Sequence, residues 1–228
     1  MSTLSHKRLL VTLSLVIAGI TLILTVQSAY VAPLYQEGTA SSFRYTIKGQ
    51  RNGSLLAELS VNFGDSNALR NHLAVNRQRG QQLSNQMLGR IPVCVTFARP
   101  IPLAEARTLA QETGLQVESF ALVGRSAREN RRGTSVRFGS LDQDVPTRVN
   151  VMGSMPDRDD LILKGVMVIY GQLTSPKDLK QLLDDERVYL ADTSEVEMRA
   201  LIAERHAAIV AGKELAIQVP SPFWELDW

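Results

Sequence analysis

Along this chain the apolar positions pass from an unbroken run to strict alternation, and then to short runs mixed with helical spacing. From Leu9 to Val26 the residues LLVTLSLVIAGITLILTV carry no charge over 18 positions. At about 1.5 Å per residue that is roughly 27 Å of helix, close to a hydrocarbon core of about 30 Å. A helix packed on a globular core would show a polar stripe, and this run has none. His6, Lys7 and Arg8 precede it, and no Lys or Arg follows before Arg44. The bias of positive charge toward the cytoplasm then predicts a cytoplasmic tail at 1–8, a membrane anchor at 9–29 and the rest of the chain outside. Tyr30 and Tyr35 fall where an outer aromatic belt would lie. The alternative is a signal peptide cut near Ser28, which would release the remainder as a secreted protein.

Residues 30–42 are small and polar, with Pro33 and Gly38, and read as a linker. Alternation starts at Phe43, Tyr45 and Ile47, and returns at Leu55, Ala57, Leu59, Val61 and Phe63. Asn52-Gly53 between them is a strong turn signal, so the pair predicts a β-hairpin. Asp65 or Ser66 can cap a helix over about 66–88. Its apolar residues Leu69, Leu73, Leu83 and Met87 leave Asn76 and Gly80 in the middle of the stripe. Either the two ends pack on the domain, or the polar middle faces a partner or a cleft. Hairpin and helix together make a unit at 43–90.

From residue 91 the pattern predicts strands at about 92–98, 115–123, 161–172 and 187–192. Leu103, Ala106, Leu109 and Ala110 have helical spacing, and Gly114 closes that helix. Ser175-Pro176 with Asp178 opens a second, through a capping hydroxyl, a proline in the first turn and an acid near the helix N-terminus. Residues 124–160 read as irregular, with short strands near 134–138 and 146–152. The order is strand–helix–strand twice over 91–193, a split βαβ or ferredoxin-like arrangement. Ser194 and Glu197 suggest a capping box for a helix running to about Ala211, followed by an extended aromatic tail, within the segment 194–228. The predicted class is thus α+β: an N-terminal transmembrane helix, a hairpin, a helix, a ferredoxin-like domain and a C-terminal helix.

Over residues 92–193 this order resembles the ferredoxin-like domains of subtilisin-type propeptides and related protease inhibitors. The resemblance is one of topology, carried by no motif, so it transfers no functional residue.

Charge and chemistry narrow the functional classes. Removing residues 1–29 takes away Lys7 and Arg8 and leaves 23 basic against 23 acidic residues. A balanced domain lacks the basic face that nucleic acid requires. Cys94 is the only cysteine and lies in the apolar run IPVCVTF, so it reads as a small core residue and forms no intrachain disulfide. His72 and His206 stand alone on predicted helices, and His206 reads as a surface residue. No zinc pattern, calcium loop, phosphate loop or nucleophile elbow occurs, so neither a cofactor nor a metal is expected. Two segments stand out. Residues 124–137 hold Arg125, Arg128, Arg131, Arg132 and Arg137 against the single acid Glu129, a candidate contact for an anionic surface or an acidic protein face. The tail holds Phe223, Trp224 and Trp228, aromatic residues that either dock on a partner or fold back over their own domain. The leading expectation is a non-enzymatic, membrane-anchored interaction or scaffold protein outside the cytoplasm, with a protein partner. The alternatives are a protease-inhibitor-like module acting on an extracytoplasmic peptidase and a hydrolase whose site is assembled from distant residues.

Overall fold

A computed structural model describes residues 35–40, 42–85, 89–126, 132–145, 148–150 and 160–226. The predicted tail, anchor and cleavage point lie outside them. Among the described residues no helix is long and apolar enough to cross a membrane.

The chain is a mixed α+β protein with two sheets. The first sheet contains β1 (Tyr35–Thr39), β2 (Arg44–Gly49) and β3 (Leu55–Ser60), with β10 (Leu215–Gln218) from near the C-terminus. β1 and β2 are antiparallel, as are β2 and β3, whereas β10 runs parallel to β3. The second sheet has the order β6-β5-β8-β4-β9, with β7 paired to β8. Its strands are β4 (Ile91–Ile101), β5 (Gln116–Ser126), β6 (Arg132–Phe138), β7 (Arg148–Asn150), β8 (Asp160–Leu173) and β9 (Val188–Asp192). Helix α1 (Ser66–Leu83) precedes β4, α2 (Leu103–Glu112) joins β4 to β5, and α3 (Pro176–Asp184) joins β8 to β9. Each of those two crossovers skips one strand, and β4, β5, β8 and β9 pair antiparallel throughout.

Period-two alternation gives the second sheet two buried faces. Ile91, Val93, Val95 and Phe97 of β4 meet Ala106 and Leu109 of α2 and Leu179 and Leu182 of α3. Cys94, Val168, Ala121 and Val123 turn the other way, toward Tyr45, Ile47 and Ala57 of the first sheet and Met198 and Ile202 of α4 (Ser194–Arg205). The result is a layer of helices, a sheet, and a third layer made of the small sheet and α4. Each fully buried Leu, Ile or Phe contributes about 1.5–3 kcal/mol. The close approach of β5 to β8 depends on Gly171, where a Cβ would lie 2.4 Å from the Gln116 carbonyl oxygen.

Several expectations change. The linker at 30–42 contributes β1, a strand with no apolar pattern; an edge strand of this kind is held by backbone pairing, which side-chain alternation does not report. Within 124–160 the short strands expected near 134–138 and 146–152 are present as β6 and β7, and β5 runs on to Ser126, beyond its expected end at 123. Helix α1 ends at Leu83, and Asp65 caps it by accepting from the Asn67 and Ala68 amides at 2.8 and 3.3 Å. Its buried residues are His72, Asn76, Gly80 and Leu83, so the polar middle is itself the packing face. A Cβ at Gly80 would come within 2.9 Å of Leu183, which is why the gap in the stripe is a glycine. The last predicted helix divides into α4 and α5 (Ala207–Val210) at His206. Ser194 and Glu197 form no capping box, because both side chains are turned toward Arg79.

Candidate functional site

The register of the second sheet aligns polar side chains that lie far apart in sequence. Cys94 on β4 stands opposite Asp192 on β9 and Tyr170 on β8, and Tyr170 stands opposite Ser119 on β5. Arg137 of β6 completes the row, with its guanidinium 4.1 Å from the centre of the Tyr170 ring. This row faces the small sheet. Where Glu195 of α4 and Ile217 and Val219 at the end of β10 bridge over it, a cavity of about 230 Å³ remains, also lined by Glu118.

The groups in this cavity have distinct electrostatic states. Burial pushes the Cys94 thiol well above its ordinary pKa, and the negative charge of Asp192 adds to the shift. The thiol therefore stays protonated and is a poor nucleophile. Burial likewise raises the Tyr170 phenol, which remains a neutral hydrogen-bonding group. Glu195 is raised by burial too, partly offset by Arg199, whose Nε and Nη2 donate to Oε1 at 2.9 and 2.6 Å. Glu118 accepts a hydrogen bond from Gln172.

Behind Asp192 lies a buried polar network that joins α1, β9 and α4. His72 Nε2 is 2.7 Å from Asp192 Oδ2, with both side chains at most 1% exposed. His72 Nδ1 lies 3.4 Å from the Ser42 carbonyl oxygen, and the Phe63 ring stands edge-on to the imidazole. The second Asp192 oxygen accepts the Ser194 amide at 2.7 Å. Asn76 accepts from the Thr193 amide and from Arg79 Nη1, and Arg79 pairs with Glu197. The residue types suggest a serine–histidine–aspartate triad, but the geometry does not. The Ser194 hydroxyl bonds Asn76 and Arg79, not the imidazole, so His72 is not placed to deprotonate it. The network locks α1 to the end of β9. It also replaces the expectation that His72 stands alone. Asp192 is 120 residues away, a distance no motif spacing can reveal. His206 is likewise partnered, through its Nε2 to the Tyr45 hydroxyl at 3.2 Å.

The arginines singled out in the sequence do not converge. Arg125 and Arg132 are register partners at the end of the β5–β6 ladder where the chain passes from one strand to the other. Arg137 is five positions from Arg132, about 16 Å along a strand, and sits over Tyr170. Arg128 and Arg131 lie outside the described residues. In the tail, Phe223 is 8% exposed and belongs to the core shared by the two sheets. Trp224 is 46% exposed and packs on Phe223 with ring centroids 4.2 Å apart. Ser221 bonds Thr96 of β4 at 2.7 Å, which ties the tail down. Trp228 lies outside the described residues. Among the described residues no three His, Cys, Asp or Glu side chains gather as metal ligands.

No protein-family model matches this chain, and neither a curated protein nor a solved structure does.

Proposed function

We propose that the chain is a non-catalytic binding domain of ferredoxin-like type, tethered by residues 9–29 to the outer face of a cytoplasmic membrane, and that it receives an extended acidic segment of a protein partner along β6. The observation that carries the reading is the position of β6. Among the described residues it is the last strand on its side of the second sheet, whereas at the other end α1 packs against β9. An edge strand offers a row of backbone donors and acceptors to which another strand can add. Residues 124–137, which lead from the end of β5 into this edge strand, carry five arginines and one acid, and this local excess of positive charge favours an acidic partner. The anchor is supported by the uncharged run Leu9–Val26 and the basic residues before it.

The order β9-β4-β8-β5, with both crossover helices on one face, supports the ferredoxin-like assignment. The likeness to subtilisin-type propeptides stays with topology, because the first sheet and α4 cover the other face here. Photo-crosslinking in native membranes tests the proposal. A photoreactive residue placed at Arg132 or Thr134 is expected to give a discrete adduct that is absent when the same residue is placed at Lys180 on α3. The adduct should disappear when Arg125 and Arg132 are both replaced by Glu. Adducts that form equally from Lys180, or that survive the charge reversal, would remove β6 as the binding edge.

A further inference from the structure

The cavity between the two sheets is not used by strand addition at β6, yet its lining has the chemistry of a ligand site. The Arg137 guanidinium carbon lies over the Tyr170 ring, 4.1 Å from its centre, and among the described residues no carboxylate pairs with it. A guanidinium has five donors in its plane, more than Tyr170 engages, and carboxylates are its preferred bidentate partners. Stacking on the ring removes rotational freedom from the arginine before any ligand arrives. Across the same cavity stand the carboxylates of Glu195 and Glu118. Glu195 is buried further than Arg199 compensates, so a second cation beside it would be favoured. Ile217 and Val219 supply a short apolar wall. At about 230 Å³ the space is smaller than the roughly 300–1,000 Å³ of sites for drug-sized molecules.

We infer that this cavity binds a small zwitterion, a free α-amino acid with a short apolar side chain. Its carboxylate sits on Arg137, its ammonium group between Glu195 and Glu118, and its side chain against Ile217 and Val219. The inference is independent of the partner strand: a failed crosslink at β6 leaves it standing.

The test is isothermal titration calorimetry of the full chain in detergent micelles, with L-valine as the probe. Isovalerate and isobutylamine serve as half-ligands that lack the ammonium and the carboxylate respectively. L-valine is expected to bind, and each half-ligand to bind at least about tenfold more weakly, since each loses one charge-assisted contact. Arg137→Gln should weaken L-valine by a similar factor, and Arg137→Lys by less, because it keeps the charge without the planar fork. Arg137 is exposed, so both variants should fold, and a melting curve checks this. The absence of heat from L-valine at millimolar concentration would overturn the inference. So would unchanged L-valine affinity in a folded Arg137→Gln chain. Isovalerate binding as tightly as L-valine would replace the zwitterion with a simple carboxylate and equally overturn it.

Discussion

Asp192 turns one carboxylate oxygen to the His72 imidazole and the other to the Ser194 amide, and its backbone stands opposite Cys94. Removing one member of a buried hydrogen-bonded pair leaves the other without a partner, at a cost of about 1–3 kcal/mol. Asp192→Ala should therefore lower unfolding stability by that order in urea titrations. Asp192→Asn, which can still accept from the Ser194 amide, should cost less. Cys94 makes a complementary case. Its thiol is buried and held protonated, so alkylation by iodoacetamide in the folded state should be slow and should speed up only in denaturant. Rapid labelling of the native chain would contradict the burial. Glu195 allows a pH test with a definite sign. Its folded pKa is raised, so the fold favours the protonated form. The associated stability is complete below the unfolded carboxylate pKa of about 4.3 and is lost as pH rises through the folded value. Between about pH 4 and pH 7, the stability of the wild type should thus fall relative to that of Glu195→Gln. None of these pairings was legible from residue spacing. Cys94 could be read as a core residue from its apolar neighbours, but its contacts with Tyr170 and Asp192 come from strand register, which the sequence does not display locally.

The elements differ in how openly the chain announces them. Strands β4, β5, β8 and β9 are apolar runs bounded by Pro, Gly or capping residues, and helices α2 and α3 carry clear apolar spacing, so the crossover order could be read directly. Strand β10 was missed although Leu215, Ile217 and Val219 alternate, because four residues between a broken helix and a proline-rich tail give a weak signal. Strand β1 was missed because an edge strand needs only its backbone. The break at His206 was hidden by residues of good helical propensity on both sides, and tertiary contact with Tyr45 accompanies it. The tail gives a test at this level. With Phe223 in the core and Ser221 bonded to β4, deletion of residues 220–228 should destabilise the chain by at least about 3 kcal/mol, the cost of losing a buried phenylalanine. An unchanged melting temperature would mean that the tail is not part of the fold. Trp224→Ala, in contrast, removes a half-exposed ring and should cost far less.

Taken whole, the molecule stacks helices, a six-stranded sheet and a smaller sheet with α4, and β1 and β10 form the two edges of that smaller sheet. The near balance of 23 basic and 23 acidic residues beyond position 29 leaves no overall field, and recognition then rests on local features such as the arginines of 124–137. The class and much of the strand order were legible in the sequence because burial imposes periodicity. The polar row and the His72–Asp192 network were not, because they are products of packing between distant segments.

The proposed arrangement is a domain displayed outside the cytoplasm and retained by residues 9–29. It is tested most directly by protease shaving of intact spheroplasts that carry the full chain with a C-terminal epitope. The chain should sediment with membranes at full mass, and external protease should remove the epitope without lysis. An epitope protected until the membrane is opened, or a full-length chain recovered in the soluble fraction, would contradict it.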